Sequence, residues 1–361
     1  MYSRINRSRR LLIMAGGTGG HIFPGIAIAQ YLLKMGWKIV WLGTHDRMEV
    51  NLIQKYNFHL ELIRVKSWRR EKIKSWLPTT LQFSMAVHQA YKIIKNWHPH
   101  VVLGMGGYIS GPGGIAAWMQ GIPIVIHEQN VIPGLTNYWL AKIACKKLQA
   151  FPGALHEAIV VGNPIRDEIR YLPPPESRFS GRNLFPLRVL VLGGSQGAQI
   201  LNHVMPQVAH ILGNKIHLWH QVGKNAFYQV RNLYKDLSNF KYRITEFIED
   251  IARAYSWADV VICRSGALTV SEIALVGLPA IFVPFQHRDK QQYCNALLLK
   301  DVNAAKILET SEFTAVNVVK ILEKLDRTTL LSMALCARSI AKFDATECVA
   351  SHIINISKNY T

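Results

Sequence analysis

The sequence predicts an α/β protein built of two similar doubly wound domains facing each other across a cleft. Three observations carry that prediction. Short apolar runs alternate with amphipathic stretches at helical spacing along most of the chain, the pattern of βαβ units around a parallel sheet. One strand–glycine turn–helix unit occurs twice, as Arg-Leu-Leu-Ile-Met-Ala-Gly-Gly-Thr-Gly-Gly at 10–20 and as Arg-Val-Leu-Val-Leu-Gly-Gly-Ser-Gln-Gly at 188–197. The 361 residues suffice for two domains of ordinary size.

Taken in order, Leu11–Ala15 is an apolar strand closed by a glycine loop. Ile22, Ile26, Ala29, Leu32 and Leu33 then mark one face of a helix over 22–35. Trp37–Leu42, Val101–Leu103, Ile122–Ile126 and Ala158–Val161 read as further strands with helical stretches between them. Residues 171–187, opening Tyr-Leu-Pro-Pro-Pro, are rich in Pro, Ser and Arg and lack periodicity, so they mark a break. The pattern restarts at Arg188, enters a helix over 198–212, and continues through strands at Lys215–His220, Val260–Cys263 and Ala280–Val283. Sheets of this kind take ligands outside the carboxyl ends of their strands.

Charge is unevenly placed. Residues 1–150 hold 19 basic and 5 acidic side chains, and the rest 23 and 18, within a net charge of +19. The first half therefore suits an anionic partner: nucleic acid, anionic lipid or a phosphorylated substrate. The five cysteines lie far apart with no CxxC, which points to free thiols in a reducing compartment and to no zinc site. The apolar run after Arg4, Arg7, Arg9 and Arg10 is too short for a signal peptide, and no apolar stretch is long enough to span a membrane.

The first loop, Gly16-Gly17-Thr18-Gly19-Gly20-His21, lets backbone approach an anion at the positive end of the following helix. No GK[ST] follows, so it is no nucleotide-triphosphate P-loop. The strand end at 41–44 lacks the acidic residue of a dinucleotide site, which disfavours an oxidoreductase. His21 stands beside this anion site, where a positive helix end favours the neutral ring that a general base needs; a structural histidine is the competing reading. The second loop, Gly193-Gly194-Ser195-Gln196-Gly197, repeats the chemistry with a serine hydroxyl added, or is a remnant of duplication. Arg264-Ser265-Gly266 opens a helix whose second turn carries Glu272, a carboxylate able to accept from a ribose diol. Pro284–Gln292 offers amides and Asp289 to sugar hydroxyls, or is a polar helix start. A third glycine cluster at 104–114 and His127-Glu128-Gln129-Asn130 lie where a first-domain ligand binds. Asn130 reads as a hydrogen-bonding ligand there, and Glu128 stands between structure and chemistry. Residues 64–77 interleave six basic side chains with Trp68, Ile73, Trp76 and Leu77, a pattern for an anionic membrane surface, with nucleic acid as the rival.

Together GGTGGH (16–21), GMGGYISGPGG (104–114), HEQN (127–130), GNPIR (162–166), GGSQGA (193–198), CRSGALTVSE (263–272) and PFQHRDKQQ (284–292) resemble the UDP-N-acetylglucosamine–N-acetylmuramyl-(pentapeptide) pyrophosphoryl-undecaprenol N-acetylglucosamine transferases, the MurG-type glycosyltransferases. The resemblance covers the chain from Leu12 to about Ala350. It implies a GT-B fold, with an acceptor- and membrane-binding domain over 1–166 joined by the last helix at about 345–361, and a UDP-sugar domain over 167–344. It implies inverting, metal-independent transfer of N-acetylglucosamine from UDP-GlcNAc to the lipid-linked muramyl-pentapeptide in peptidoglycan synthesis. It implies as well that no cofactor or nucleic acid takes part and that such a protein works peripherally on the cytoplasmic face of the bacterial inner membrane.

By the same resemblance His21 is the favoured base. Thr18, Gly19 and Gly20 approach the sugar and reacting centre, and Asn130 contacts the donor sugar. Arg166 and Ser195 contact the nucleotide end, Ser195 through a phosphate, and the Ile248 backbone reads uracil. Ala267, Leu268, Thr269, Val270, Ser271 and Glu272 line the nucleotide, with Glu272 on the ribose, while Gln291 and Gln292 meet sugar hydroxyls. The residues themselves, rather than the resemblance, assign membrane binding to Trp68, Arg69, Arg70, Lys72, Lys74, Trp76 and Leu77; here the loop departs from relatives, lacking their common glycines at 66–72 and adding Trp68 and Trp76. Two other readings share part of this pattern. A UDP-sugar 2-epimerase leaves the basic Trp-bearing loop unexplained, and a nucleotide-gated binding protein leaves His21 and Glu272 dispensable.

Overall fold

The computed structural model describes residues 8–45, 48–65, 76–194, 196–235 and 240–359. The chain divides into two compact units, Met1–Arg166 with Lys342–Thr361, and Asp167–Ala341. The first unit contains β1 (Arg10–Met14), α1 (Gly19–Lys34), β2 (Lys38–Thr44), α2 (Met48–Lys55), β3 (His59–Ile63), α3 (Trp76–Trp97), β4 (Val101–Gly104), α4 (Ser110–Met119), β5 (Ile124–Glu128), α5 (Leu135–Leu140), β6 (Lys146–Gln149) and β7 (Ile159–Val160). The second contains α6 (Asp167–Arg170), α7 (Pro175–Phe179), β8 (Leu187–Leu192), α8 (Gln199–Leu212), β9 (Ile216–Gln221), α9 (Phe227–Tyr234), β10 (Tyr242–Thr245), α10 (Ile251–Trp257), β11 (Val260–Cys263), α11 (Ala267–Val276), β12 (Ala280–Phe282), α12 (Gln291–Asp301), β13 (Ala305–Ile307), α13 (Ala315–Leu322) and α14 (Arg327–Ser339). The last helix, α15 (Ala345–Asn359), belongs to the first unit.

Both sheets are wholly parallel, ordered β3-β2-β1-β4-β5-β6-β7 and β10-β9-β8-β11-β12-β13. In each the strand order reverses once, between β1 and β4 and between β8 and β11, and such switch points are where doubly wound sheets take ligands. At the carboxyl ends, Met14 is level with Gly104 and Leu192 with Cys263.

The apolar runs of the sequence form the central strands because helices cover both sheet faces. Alternate side chains of β1 part company: Leu11 and Ile13 pack with Ile22, Ile26, Val349 and Ile353 of α1 and α15, while Leu12 and Met14 pack with Ala86, Ala90 and Ala116 of α3 and α4. Four strands escape the sequence reading: β3, β6, β10 and β13. They read His-Leu-Glu-Leu-Ile, Lys-Lys-Leu-Gln, Tyr-Arg-Ile-Thr and Ala-Lys-Ile. β3, β10 and β13 lie at sheet edges and β6 is next to one, where partial exposure admits polar residues. The predicted break at 171–187 carries one short helix, α7. Its Arg178 is buried and donates to the carbonyls of Val276 (2.7 Å) and Gly277 (2.6 Å), satisfying the end of α11.

Candidate functional site

In the first unit the loops after β1, β4 and β5 meet at one end of the sheet. The β1 loop runs over Thr18 into α1, whose N-terminus has no side-chain cap. Gly107, at φ +75°, lies against the Gly16 carbonyl so closely that any Cβ would collide with it, so the first and third glycine clusters touch. The Ser110 hydroxyl lies 2.8 Å from the Met14 carbonyl and 2.7 Å from that of Gly106. The Thr44 and Tyr108 hydroxyls meet at 3.1 Å.

His21 sits in the first turn of α1, with Nδ1 2.8 Å from Gln129 Oε1. Glu128 is buried and fully committed: Oε1 accepts from Asn130 N and Nδ2 (both 3.0 Å), and Oε2 from Gly134 N (3.1 Å) and Asn137 Nδ2 (2.9 Å). Its part is therefore to shape the 129–134 loop, which resolves the choice that the sequence left open. Asn130 is held by that carboxylate. Arg166 is buried with its guanidinium 4.1 Å above the Phe23 ring, which also borders Gly19. The fold thus brings Thr18, Gly19, Gly20, His21, Asn130 and Arg166 to one end of the first sheet or to α1 beside it.

The second unit repeats the arrangement. Helices α8, α11 and α12 begin at Ala198, Gly266 and Lys290, each with no side-chain cap. By contrast α10, α13 and α14 are capped by Asp250, Thr314 and Asp326. The two helices that open at the carboxyl ends of β8 and β11 therefore leave their first N–H groups and positive dipole ends for an anion, whereas at the start of α12 the Asp289 carboxylate accepts from the first N–H. Gly197, at φ +76°, presses on the Val222 carbonyl, where a Cβ would collide.

Gln221, at the end of β9, donates to the Gly194 carbonyl (2.9 Å) and accepts from Ile248 N (3.0 Å), tying the second glycine loop to the 248 loop. Glu272 is buried and accepts from the Tyr255 hydroxyl at 2.9 Å. Burial, with Glu272 nearby, pushes the Cys263 thiol far up. Gln292 Oε1 accepts from Phe285 N (2.9 Å) and its carbonyl from Ser265 Oγ (2.8 Å), so α12 is fastened to the β11 loop. Gln291 N donates to Asp289 Oδ1 at 3.2 Å. Ala267–Glu272 form the first turns of α11, with Ala267, Leu268, Val270 and Glu272 buried.

Ser195 and the segment carrying Trp68, Arg69, Arg70, Lys72 and Lys74 lie outside the described residues, while Trp76 and Leu77 open α3. Sequence reading missed Gln129, Gln221 and Tyr255, whose roles come only from spatial neighbours. It also missed an exposed apolar set on α3, α4 and α5: Leu81, Met85, Trp118, Met119, Tyr138 and Trp139. Lys142 stands 4.1 Å above the Trp139 ring. The signal was present, since Leu81 and Met85 are four apart on one helix face. Among the described residues no helix is long and apolar enough to cross a membrane, and no three His, Cys, Asp or Glu side chains group as metal ligands.

Two Rossmann-like units, each with glycine turns and helix starts at its strand ends, have the architecture of the GT-B class of glycosyltransferases. Residues 11–149 match the glycosyltransferase family 28 N-terminal domain and residues 188–347 its C-terminal domain. The chain is 56% identical over 352 residues to a UDP-N-acetylglucosamine–N-acetylmuramyl-(pentapeptide) pyrophosphoryl-undecaprenol N-acetylglucosamine transferase of Photorhabdus laumondii, covering 98% of this chain and 99% of the relative. It is 55% identical over 353 residues to the transferase of that name from Yersinia pestis, with the same coverage. Among solved structures, MurG of Acinetobacter baumannii superposes with a TM-score of 0.82 at 35% identity, over 96% of this chain and 99% of that one. The chain belongs to this transferase family.

Proposed function

We propose that this protein transfers N-acetylglucosamine from UDP-GlcNAc to undecaprenyl-diphospho-N-acetylmuramoyl-pentapeptide, with inversion and without a metal, at an anionic membrane surface facing the cytoplasm. The observation that carries the donor half is the pair of helix starts without side-chain caps in the second unit, those of α8 and α11, together with buried Glu272. The family's shared activity supports the acceptor. In this reading the second unit holds UDP. Ser195 and the α8 start meet the diphosphate, Glu272 the ribose, and Gln291 and Gln292 the sugar hydroxyls. The Ile248 N–H is taken by Gln221, so uracil N3–H is read by the Ile248 carbonyl.

The first unit holds the acceptor. Its hydroxyl oxygen attacks the anomeric carbon on the face opposite UDP, the bond to the diphosphate oxygen breaks, and His21 takes the hydroxyl proton. Helix dipoles and amide N–H groups stabilise charge on the leaving diphosphate, the part that a cation plays elsewhere.

Membrane attachment is assigned to the basic 64–77 segment together with the exposed Leu81, Met85, Trp118 and Trp139 face. Apolar groups enter the interface while cations meet head groups. Purified protein given UDP-GlcNAc and a short-chain lipid acceptor analogue is expected to release UDP and form the disaccharide in equal amounts. UDP release without acceptor, or an isomerised sugar, overturns this reading.

A further inference from the structure

The inference begins at His127, whose ring is wholly buried. Its Nε2 lies 2.9 Å from the Gly162 carbonyl. A carbonyl has no proton to give, so Nε2 carries the hydrogen. Burial holds the ring's pKa down to about 4, so the ring is neutral and Nδ1 presents a lone pair. Gln129 Nε2 lies 3.1 Å from that Nδ1 and 2.9 Å from the His127 carbonyl oxygen. Both are acceptors, and the two amide hydrogens are both used. The side-chain amide thus has one orientation, with Oε1 turned to His21 Nδ1 at 2.8 Å. An amide oxygen only accepts, so His21 carries its proton on Nδ1.

Both ends of this chain are anchored. The Gly162 turn, at φ +83°, packs so tightly on Lys342 that a Cβ there would meet the lysine Cβ at 2.5 Å. Asn163 Nδ2 donates to the Gln129 carbonyl (3.1 Å) and Asn137 Nδ2 to the His127 carbonyl (3.0 Å).

We propose that Gln129 is a positioning residue for the transfer reaction: relayed from the Gly162 carbonyl through His127, it fixes His21 as the Nδ1–H tautomer and so leaves the lone pair on Nε2 to take the acceptor's proton. The hydrogen bond at one ring nitrogen decides the state of the other. The proposal rests on the reading of His21 as the base and adds what makes it competent. It also gives a reason for glutamine at 129: the position needs a two-hydrogen donor and an acceptor on one rigid group.

The test is tautomer state together with kinetics. In full-length protein labelled with ¹⁵N-histidine, long-range ¹⁵N–¹H correlation is expected to show His21, assigned by loss of its signals in His21→Ala, as Nδ1–H. Gln129→Met, of matching length but without polar atoms, is expected to release the ring toward Nε2–H. It is also expected to lower kcat about 10- to 100-fold while moving the KM for UDP-GlcNAc less than about 2-fold, the mark of an interaction made only in the transition state. An Nε2–H ring in the parent protein overturns the proposal with no variant needed. A folded Gln129→Met that keeps either the Nδ1–H ring or full kcat also overturns it. The parent spectrum is read without turnover. If His21 is Nδ1–H but His21→Ala stays active, the base assignment fails and the relay that sets the tautomer stands.

Discussion

The Tyr255 hydroxyl donates to Glu272 Oε2 over 2.9 Å, and both side chains are buried in the second unit. A carboxylate has about four acceptor sites, so this bond orients Glu272 without exhausting it.

Tyr255→Phe is expected to weaken UDP binding modestly, because the carboxylate loses its orienting donor. Glu272→Ala is expected to weaken it about 10-fold or more, since hydrogen bonds to a charged acceptor contribute roughly 1.5–3 kcal/mol each. Glu272→Ala also removes the buried hydrogen bond from the Tyr255 hydroxyl, a net loss of about 1.5–3 kcal/mol in stability for a bond to a charged group. Calorimetry with UDP and with UDP-GlcNAc measures the first effects and denaturant unfolding the last. Unchanged UDP affinity in Glu272→Ala removes this residue from the site.

His21→Ala is expected to lower turnover on the order of 10²–10⁴-fold and leave UDP affinity within about 2-fold, because the ring lies in the first unit and its role is proton transfer. Rapid-quench assays with saturating donor separate the two quantities. Survival of turnover assigns His21 to the scaffold.

Binding to anionic vesicles is expected to fall with salt and with neutral lipid. Basic residues near an anionic surface contribute about 1 kcal/mol each, attenuated within a Debye length of about 8 Å at physiological salt. Changing Arg69, Arg70, Lys72 and Lys74 to Ser is expected to remove the salt-dependent part in co-sedimentation. Changing exposed Trp118 and Trp139 to Ser is expected to remove the part that persists at high salt, since apolar burial is not screened. Equal sedimentation of all three proteins contradicts the assignment of the face.

Activity is expected to survive EDTA, because α8 and α11, which have no side-chain caps, supply N–H groups and dipoles where charge develops on the leaving diphosphate. Loss in chelator that added metal restores contradicts this.

Stability is expected to fall as pH drops below about 6.5. Burial holds His127 down to about 4 and His220 to about 3, below the unfolded value of about 6.5. In that window the unfolded chain binds more protons than the folded one, so protonation favours unfolding, and the loss runs from about pH 6.5 down through the folded values. By pH 4 it is on the order of a few kcal/mol for each ring. Urea midpoints at pH 7.5, 6 and 5 measure it; a flat profile refutes it.

The amino-acid sequence by itself determined the doubly wound architecture and much of the candidate site. Both follow from local patterns: apolar runs such as Leu187–Leu192 that only a parallel sheet covered on both faces can bury, and glycines such as Gly107 and Gly197 at turns that exclude a Cβ. The amide, hydroxyl and carboxylate side chains after the strand ends were legible as candidate ligands because topology alone places them there. Tertiary structure decided the rest. Whether Glu128 is a reactant or a loop support depended on four donors from 130, 134 and 137. The edge strands β3 and β10 form because a neighbouring strand offers a ladder, whatever their own polarity. The proton position on His21 depends on a glutamine 108 residues away and on a glycine carbonyl beyond it. Hydrogen-bond direction is settled by which donors and acceptors meet in space, and residue spacing along the chain carries no record of that.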